Sequence, residues 1–369
     1  MEATLPLPAE ALPQNLRRFG DPNAPAPAKM MAAKGLVPVK GADLVTLLCQ
    51  LAADADENVA EAAGKSLDEL PENVLLPACA AELPGPVAAA VAERFRDRDE
   101  VLDPLVQNAS LPDAALARVA RMCSERISEI IAVNQTRLLA APEIVEALYK
   151  NKNTRMSTAD RLIELCARNG VRLEGIPSFD AHVEAIQGQL IPEPTEEPLP
   201  TDTAFAEVLV EESDEDAIEI DKVDGKEELK EKYKPLSFRI REMTTGEKIR
   251  LALVGDAAAR SILVRDPNKQ VSHAAISSPS MGDAEAAAIA HSKEVSDAIL
   301  RYIGTRKEWV RHYDVKRALA FNPKTPLGVS LKFLGHLRAN DLKTLSRSRG
   351  IPNPLKTAAR QRLQKKSRG

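Results

Sequence analysis

The sequence predicts an all-α protein in which two α-solenoid-like helical-repeat modules are joined by an acidic disordered linker. Three observations lead to this prediction: only 3% of the 369 residues are aromatic, apolar residues recur at helical spacing in short runs, and charge is spread very unevenly. Because sheets depend on aromatic and β-branched pairs across strands, so few aromatics disfavour an all-β fold. We expect an N-terminal arm with a short helix at 1–40, helical-repeat module 1 at 41–190, the acidic linker at 191–235 and basic helical-repeat module 2 at 236–369.

Apolar stripes separated by prolines predict the short helices of both modules. Leu44, Leu47 and Leu51 form one such stripe in module 1, and further stripes of the same spacing follow it. A proline between two stripes can occupy the first turn of the next helix, where its missing N–H has no helical partner. In module 2, Thr244 and Glu247 form a capping-box pattern ahead of an apolar run, which predicts a helix that begins there.

A weak repeat indicates that these helices stack one on the next. Cys79, Cys123 and Cys166 are 44 and 43 residues apart, and Ser278 and Asn322, each followed by proline, are 44 apart. Helix pairs of the HEAT or armadillo kind repeat every ~40–47 residues. Because a short amphipathic helix cannot bury its apolar face alone, this period favours an α-solenoid. An irregular helical bundle is the alternative.

Several stretches of the sequence resemble known bacterial helical repeats. The turn Asn322-Pro-Lys-Thr-Pro326 resembles leucine-rich-variant and HEAT-like repeats. Four further stretches are similar to a family of bacterial cytoplasmic helical-repeat proteins: NKNTRMSTADRL at 151–162, ILVRDPN at 262–268, EWVR at 308–311 and LSRSRGIP at 345–352. The likeness covers about two thirds of the chain and skips the linker. It implies a fold and no activity, and the iron–sulfur cysteine cluster of some leucine-rich-variant proteins has no counterpart here.

Charge divides the chain into three parts, although its net value is only −4. Residues 1–190 contain 19 basic and 27 acidic residues, residues 191–231 contain 3 and 16, and residues 232–369 contain 28 and 11. The middle part cannot bury enough apolar surface to offset the entropy of ordering it, so we expect a flexible linker. Its apolar island, FAEVLV at 205–210, can dock as a short strand or helix. We hypothesise that this linker masks the basic module until a partner displaces it.

Several features indicate a cytoplasmic protein without membrane insertion. The chain has no run of 18 apolar residues, and its first residues, MEATLPLPAE, lack the basic start and apolar run of a signal peptide. The four cysteines lie at least 30 residues apart, a spacing that fits buried thiols in a reducing compartment better than a disulfide framework or a metal site.

The sequence offers no candidate catalytic, cofactor-binding or metal-binding residue. The stretch KIRLALVGD at 248–256 is similar to a strand that enters a phosphate loop, but Arg260 stands where the second glycine is needed, so a helix break at Gly255-Asp256 is favoured. The five histidines show no HExxH pattern, and we expect them on exposed or half-buried helix faces. We therefore expect a protein that is not an enzyme and uses no cofactor; an enzyme of unknown type is the least favoured alternative.

The asparagine-proline turns have two interpretations. Asn322 and its analogues can line a ligand groove. More often such a residue is a cap, whose side-chain oxygen accepts an N–H two or three residues further on.

The basic residues near the C-terminus give the most specific hypothesis for a binding site. If helix stacking collects them on one face, they attract a phosphate backbone, and the aromatics between them can stack on unpaired bases. A solvated helix end that favours the helix dipole is the alternative. The candidate residues for binding a partner or a phosphate backbone are Arg306, Lys307, Trp309, Arg311, Arg347, Arg349, Lys356, Arg360 and Arg362.

Together these features predict a non-catalytic scaffold or adaptor that mediates protein–protein interaction. Helical repeats offer long surfaces on which the residues that choose a partner are spread over several repeats. The expected partners are one or more proteins whose identity the sequence does not give. The alternative function is a nucleic-acid-associated protein that binds through its basic C-terminal module.

Overall fold

The computed structural model of the protein describes residues 5–210, 218–220, 227–229 and 234–368. These residues are mostly helical, which confirms the all-α prediction. The described strands are β1 (Ile218–Ile220) and β2 (Glu227–Leu229), an antiparallel pair in which Ile218 lies opposite Leu229. Every helix of the described ranges is too short or too polar to span a bilayer.

Contacts divide the chain into two compact units, unit 1 (Met1–Gly175 and Ile191–Leu199) and unit 2 (Ile176–Leu190 and Pro200–Gly369). The helices of unit 1 are α1 (Gln14–Gly20), α2 (Ala26–Ala33), α3 (Gly41–Ala52), α4 (Glu57–Asp68), α5 (Glu72–Ala80), α6 (Gly85–Arg94), α7 (Asp99–Val106), α8 (Asp113–Ala120), α9 (Glu125–Val133), α10 (Gln135–Ala140), α11 (Pro142–Lys150) and α12 (Met156–Arg168). A short 3₁₀ helix at Ala9–Ala11 precedes them.

Unit 2 contains the remaining helices and the two strands. Its helices are α13 (Phe179–Ile186), α14 (Pro200–Val210), α15 (Lys234–Glu242), α16 (Thr245–Val254), α17 (Ala257–Leu263), α18 (Lys269–Ile276), α19 (Asp283–His291), α20 (Asp297–Thr305), α21 (Lys307–Val310), α22 (Tyr313–Phe321), α23 (Leu327–Phe333), α24 (Ala339–Arg347) and α25 (Asn353–Arg368). A second 3₁₀ helix, Leu334–His336, follows α23.

In unit 1, many helices pack on the helix two places further along the chain. α3 packs on α5, α5 on α7 and α7 on α9, while α6 packs on α8. Apolar side chains fill the spaces between these helices: Leu47, which belongs to a predicted stripe, and Leu75, Leu105 and Ile127 are each 0% exposed. Each short helix is therefore covered by its neighbours in the chain.

Unit 2 packs in a similar way. α16 packs on α18, α18 on α20 and α20 on α22, while α17 packs on α19. At its C-terminal end, α24 and α25 pack closely together around Leu337, Leu342, Leu345 and Leu355, all of which are buried. Apolar burial between sequential helices thus holds both units.

Three asparagines, Asn108, Asn151 and Asn322, join a turn to the end of an earlier helix. The side-chain amide of each donates to two backbone carbonyl oxygens that lie 27–32 residues earlier, over 2.7–3.0 Å. Its Oδ1 accepts the N–H of the residue two positions further on, over 2.9–3.0 Å. The predicted bond to an N–H two residues further on is present at Asn322, but it closes a turn and does not cap a helix, because α23 begins after Pro326. The groove-lining interpretation is wrong, because Asn322 is 5% exposed and its amide is used internally.

Local signals in the sequence predicted two helix boundaries. Thr244 Oγ1 accepts the N–H of Glu247 at 3.3 Å, and the Glu247 carboxylate accepts the N–H of Thr244 at 2.6 Å, so the predicted capping box is present at the start of α16. Gly255 ends α16, and Asp256 caps α17 by accepting the N–H of Ala259 at 2.7 Å. The glycine is therefore part of a helix break.

The linker predicted at 191–235 does not begin at residue 191. Residues 191–199 belong to unit 1, and α14 packs in unit 2. Phe205 of α14 is 2% exposed and lies 5.1 Å from the guanidinium of Arg250, so the apolar island docks as a helix. Tertiary contacts thus order a segment that its composition marks as disordered. Residues 211–217, 221–226 and 230–233, with half of the linker's acidic residues, lie outside the described residues.

Two other predicted boundaries also differ from the structure. The predicted arm at 1–40 contains α1 and α2, which pack on α3, and α2 also packs on α4. A buried ion pair fixes this arrangement, because Lys29 Nζ lies 2.7 Å from Asp54 Oδ2 and both side chains are only 9% exposed. α13, predicted within module 1, packs on α16 in unit 2. Periodicity located these helices but did not specify their packing partners.

Candidate functional site

The predicted candidates near α21 do not present an aromatic surface to solvent. Trp309 is 8% exposed and packs against Tyr302, with ring centroids 6.1 Å apart. The Arg306 guanidinium covers the Tyr302 ring at 4.6 Å from its centroid. Trp309 is therefore a core residue, and the expectation that it stacks on bases is wrong, because the chain buries its single tryptophan in the packing of unit 2.

The other predicted candidates in this region are exposed. Lys307 lies on the surface at the start of α21. Arg311 reaches Asp283, with Nη2 3.5 Å from Oδ2, and His312 Nε2 lies 2.9 Å from the same oxygen. The carboxylate at the start of α19 thus compensates part of the local positive charge.

The remaining candidates lie on or beside α24 and α25. Arg347 and Arg349 are exposed, and within the described part of the chain no carboxylate pairs with either of them. Arg360 donates to the carbonyl oxygen of Ser346 at 3.4 Å, and Lys356 is half-buried. Arg362 lies against Gly335, where an added Cβ would be 2.5 Å from its guanidinium. The nine predicted residues therefore fall into two sets, one at α20–α22 and one at α24–α25.

A second candidate site, which the sequence did not indicate, lies in unit 1 between α9 and α12. Residues 191–196 run across it, and a cavity of about 600 Å³ opens between this segment and the two helices. A neighbouring cavity of about 320 Å³ shares the side chains of Ile130 and Val133 with the first. We call this region the α9–α12 groove.

Arg155, at the start of α12, organises the polar end of the groove. Its Nη1 and Nη2 donate to the carbonyl oxygens of Thr195 at 2.7 Å and Glu196 at 2.9 Å. Its Nε lies 2.8 Å from Glu125 Oε1 at the start of α9. The side chain is only 8% exposed, and a planar guanidinium can make these three bonds at once because its donors point in fixed directions.

The wall of the groove contains a closed set of polar contacts. Thr158 Oγ1 lies 2.6 Å from Glu129 Oε1 and 2.6 Å from Arg161 Nη2, and Arg161 also pairs with Glu129 at 3.1 Å. These three side chains hold α9 and α12 together.

Apolar side chains form the rest of the groove. Leu162 is buried, Ile130 and Leu165 are half-buried, and Val133 is 73% exposed. An apolar surface combined with a few fixed polar groups is typical of a ligand-binding site.

The cysteines are buried thiols, and the expectation that the histidines are exposed or half-buried is wrong for His182, which is 0% exposed. All four cysteines are free and buried, and burial raises the pKa of Cys49 and Cys123 to about 12 and that of Cys79 and Cys166 to about 11. A thiol with so high a pKa is a poor nucleophile at neutral pH. Over the described ranges, no three His, Cys, Asp or Glu side chains converge as a metal site would require.

Comparison with known proteins adds no relative: neither a protein-family profile, nor a curated protein sequence, nor a solved structure matches this chain.

Proposed function

We propose that the protein is a non-catalytic helical-repeat scaffold or adaptor that binds protein partners in the cytoplasm. The observation that carries this proposal is the α9–α12 groove, where an extended segment lies on two helices and Arg155 holds it by its main chain. Hydrogen bonds to main-chain carbonyls combined with apolar contacts for side chains are a general mode of peptide recognition.

Two features support the α-solenoid part of the proposal. Helices in both units pack on helices two places along the chain. The same asparagine turn occurs at Asn108, Asn151 and Asn322, which lie in both units. A repeated turn that ties successive helix pairs is what a solenoid needs, because each pair must pack on the next in a similar way.

The cationic C-terminal region supports the second candidate function, binding to nucleic acid. Arg347 and Arg349 are exposed and face no carboxylate among the described residues, so they are available to phosphates. The buried Trp309 leaves this region without the expected stacking partner for bases. Any binding of this kind would depend on charge and would weaken steeply with salt.

A pair of matched substitutions tests the proposed function. Val133 and Leu36 are both exposed apolar residues of unit 1, at 73% and 67%, and only Val133 lines the groove. We expect the tagged wild-type chain and Leu36→Asp to recover the same stoichiometric protein partner from nuclease-treated extracts of the producing cell, and Val133→Asp to lose it. Recovery of the partner by Val133→Asp would contradict the proposed role of the groove. Recovery of nucleic acid alone from untreated extracts would favour the second function.

A further inference from the structure

Residues 191–196, Ile-Pro-Glu-Pro-Thr-Glu, have the features of a bound extended peptide. Residues 191–195 form neither helix nor strand. Pro192 and Pro194 fix their own φ angles and favour extended conformations in the residues before them, so the segment is preorganised as an extended chain. Main-chain carbonyls near its end accept the two bonds from Arg155. Most of the segment is exposed, so it lies on the groove and does not form part of the core.

Glu125 of α9 holds the Arg155 side chain in place. The ion pair with Glu125 uses Nε and leaves both terminal nitrogens directed at the segment. The contacts among Thr158, Glu129 and Arg161 fix α12 against α9 next to it. Two donors that are held in place by helices can donate to the carbonyl oxygens of any extended main chain placed there, because main-chain carbonyls are common to all sequences.

The segment leaves much of the groove open. A cavity of about 600 Å³ remains beside it, and the exposed Val133 and half-buried Ile130 continue into the neighbouring cavity of about 320 Å³. The segment satisfies Arg155 but does not cover Val133. A longer or more apolar peptide would make the same polar contacts and bury additional apolar surface.

We propose that the α9–α12 groove is a receptor for an extended, proline-rich peptide of a partner protein, and that residues 191–196 are its resident occupant. This inference rests on the proposed adaptor function and names its ligand class. Arg155 binds two main-chain carbonyls of the incoming peptide, and Ile130 and Val133 contact an apolar side chain. The resident segment competes at the high effective concentration of a tethered ligand, on the order of millimolar, so only a peptide with additional apolar contacts displaces it efficiently.

The experiment uses the full chain with residues 191–196 replaced by a Gly-Ser sequence of equal length. The probe is a fluorescent peptide with the sequence of residues 190–199, LIPEPTEEPL, and its binding is followed by anisotropy. We expect saturable binding to the replaced chain and an affinity about tenfold or more lower for the wild type, in which the resident segment competes. Arg155→Ala in the replaced chain should lower the affinity by about tenfold or more, since two charge-assisted hydrogen bonds are lost. The matched control, Arg347→Ala, should leave it unchanged.

A milder variant covers the case in which the replaced chain does not fold, as judged by its circular dichroism. Pro192→Gly with Pro194→Gly keeps the segment but removes its preorganisation, and the affinity for the probe should lie between those of the wild type and the replaced chain. If neither the replaced chain nor the double glycine variant binds the probe although it is folded, the inference is overturned. The adaptor proposal would then still be tested by Val133→Asp. A different result would also overturn the inference. If the wild type forms a dimer in analytical sedimentation and the replaced chain does not, the occupant of the groove is a second copy of this chain.

Discussion

The α9–α12 groove and the C-terminal α24–α25 region use arginine in opposite ways. In the groove, one arginine that is 8% exposed makes bonds to a carboxylate and to two carbonyls on another segment. The C-terminal region is far richer in positive charge, with 9 basic residues and 1 acidic residue at 339–369, yet Arg347 and Arg349 are exposed without an ionic partner among the described residues. A high density of exposed positive charge therefore attracts anionic ligands in general. A buried arginine with a carboxylate partner instead fixes where the bound main chain must lie.

The two units that contain these regions also carry separate natural probes. All four cysteines lie in unit 1, and the single tryptophan, Trp309, lies in unit 2. Thiol labelling therefore reports on unit 1 and tryptophan emission on unit 2, so a substitution in either region can be assigned to the unit that it affects.

The largest expected effect is the protection of the thiols in unit 1. Because burial raises their pKa values to about 11–12, we expect labelling with a thiol reagent at pH 8 to be about a thousandfold slower in the native chain than in urea. All four thiols should become reactive in one urea transition. A thiol that reacts at the unfolded rate in the native chain would show that its helix is not packed as described.

Removal of the asparagine turns should be the next largest effect and should be similar in the two units. Asn151→Ala and Asn322→Ala each leave buried carbonyl oxygens without a donor, which we expect to cost about 3 kcal/mol. Asn151→Ala should shift the thiol transition in urea, and Asn322→Ala the tryptophan transition. The exposed Asn58→Ala serves as the control and should stay within about 0.5 kcal/mol of the wild type. If only one of the two substitutions lowered the free energy of unfolding, the asparagine turn would not stabilise both units in the same way.

The contrast between the two kinds of arginine gives a smaller effect. Arg155→Ala should destabilise unit 1 by about 2 kcal/mol, because Glu125 and two carbonyls lose a charged partner. It should also speed cleavage after Glu196, at the end of the segment, by a glutamate-specific protease, since the bonds after Glu193 and Glu197 precede prolines and resist it. Arg347→Ala should change stability by less than about 0.5 kcal/mol and leave that cleavage rate unaltered. If Arg155→Ala and Arg347→Ala changed stability and cleavage rate equally, the two regions would not differ in how they use arginine.

The smallest effect concerns acid stability in unit 2. Hydrogen bonds from Tyr313 and Arg317 hold the pKa of Asp341 below its usual value. A carboxyl group with a lowered folded pKa stabilises the protein above its unfolded pKa of about 3.9, and this contribution is lost as pH falls through the folded pKa. Asp341→Asn should therefore lower the urea midpoint of the tryptophan-detected transition by a constant amount from pH 5 to 8. The difference from the wild-type midpoint should shrink below about pH 4. A difference that grows in acid would contradict the assigned pKa direction.

Much of the helical framework could be predicted because its signals are local. The capping box at Thr244 and the helix break at Gly255 depend on residues within one turn of each other. Pro104, one of the prolines between apolar stripes that were expected at a helix start, instead lies inside α7. There the burial of Leu102 and Leu105, at 1% and 0% exposed, outweighs the local preference of proline.

The candidate groove could not be predicted, because it joins residues far apart in the sequence. Arg155 and Thr195 are 40 residues apart, and the proline-glutamate composition of 191–196 indicates disorder when it is considered alone. The prediction that Trp309 is exposed and stacks on bases is wrong for a related reason: the residues next to it in the sequence do not determine how exposed its side chain is. Lys and Arg around an aromatic residue can equally cover a half-buried ring, as Arg306 does over Tyr302.

Photo-crosslinking in the producing cell tests most directly whether the groove or the cationic end is the interaction site. A photoreactive phenylalanine analogue would replace Val133 in the groove, Leu36 as an exposed control in unit 1, or Arg349 beside α24. We expect one dominant protein adduct from position 133 and no comparable adduct from position 36 or 349. Nucleic-acid adducts from position 349, with none from position 133, would contradict the assignment of the groove as the site where this protein meets its partner.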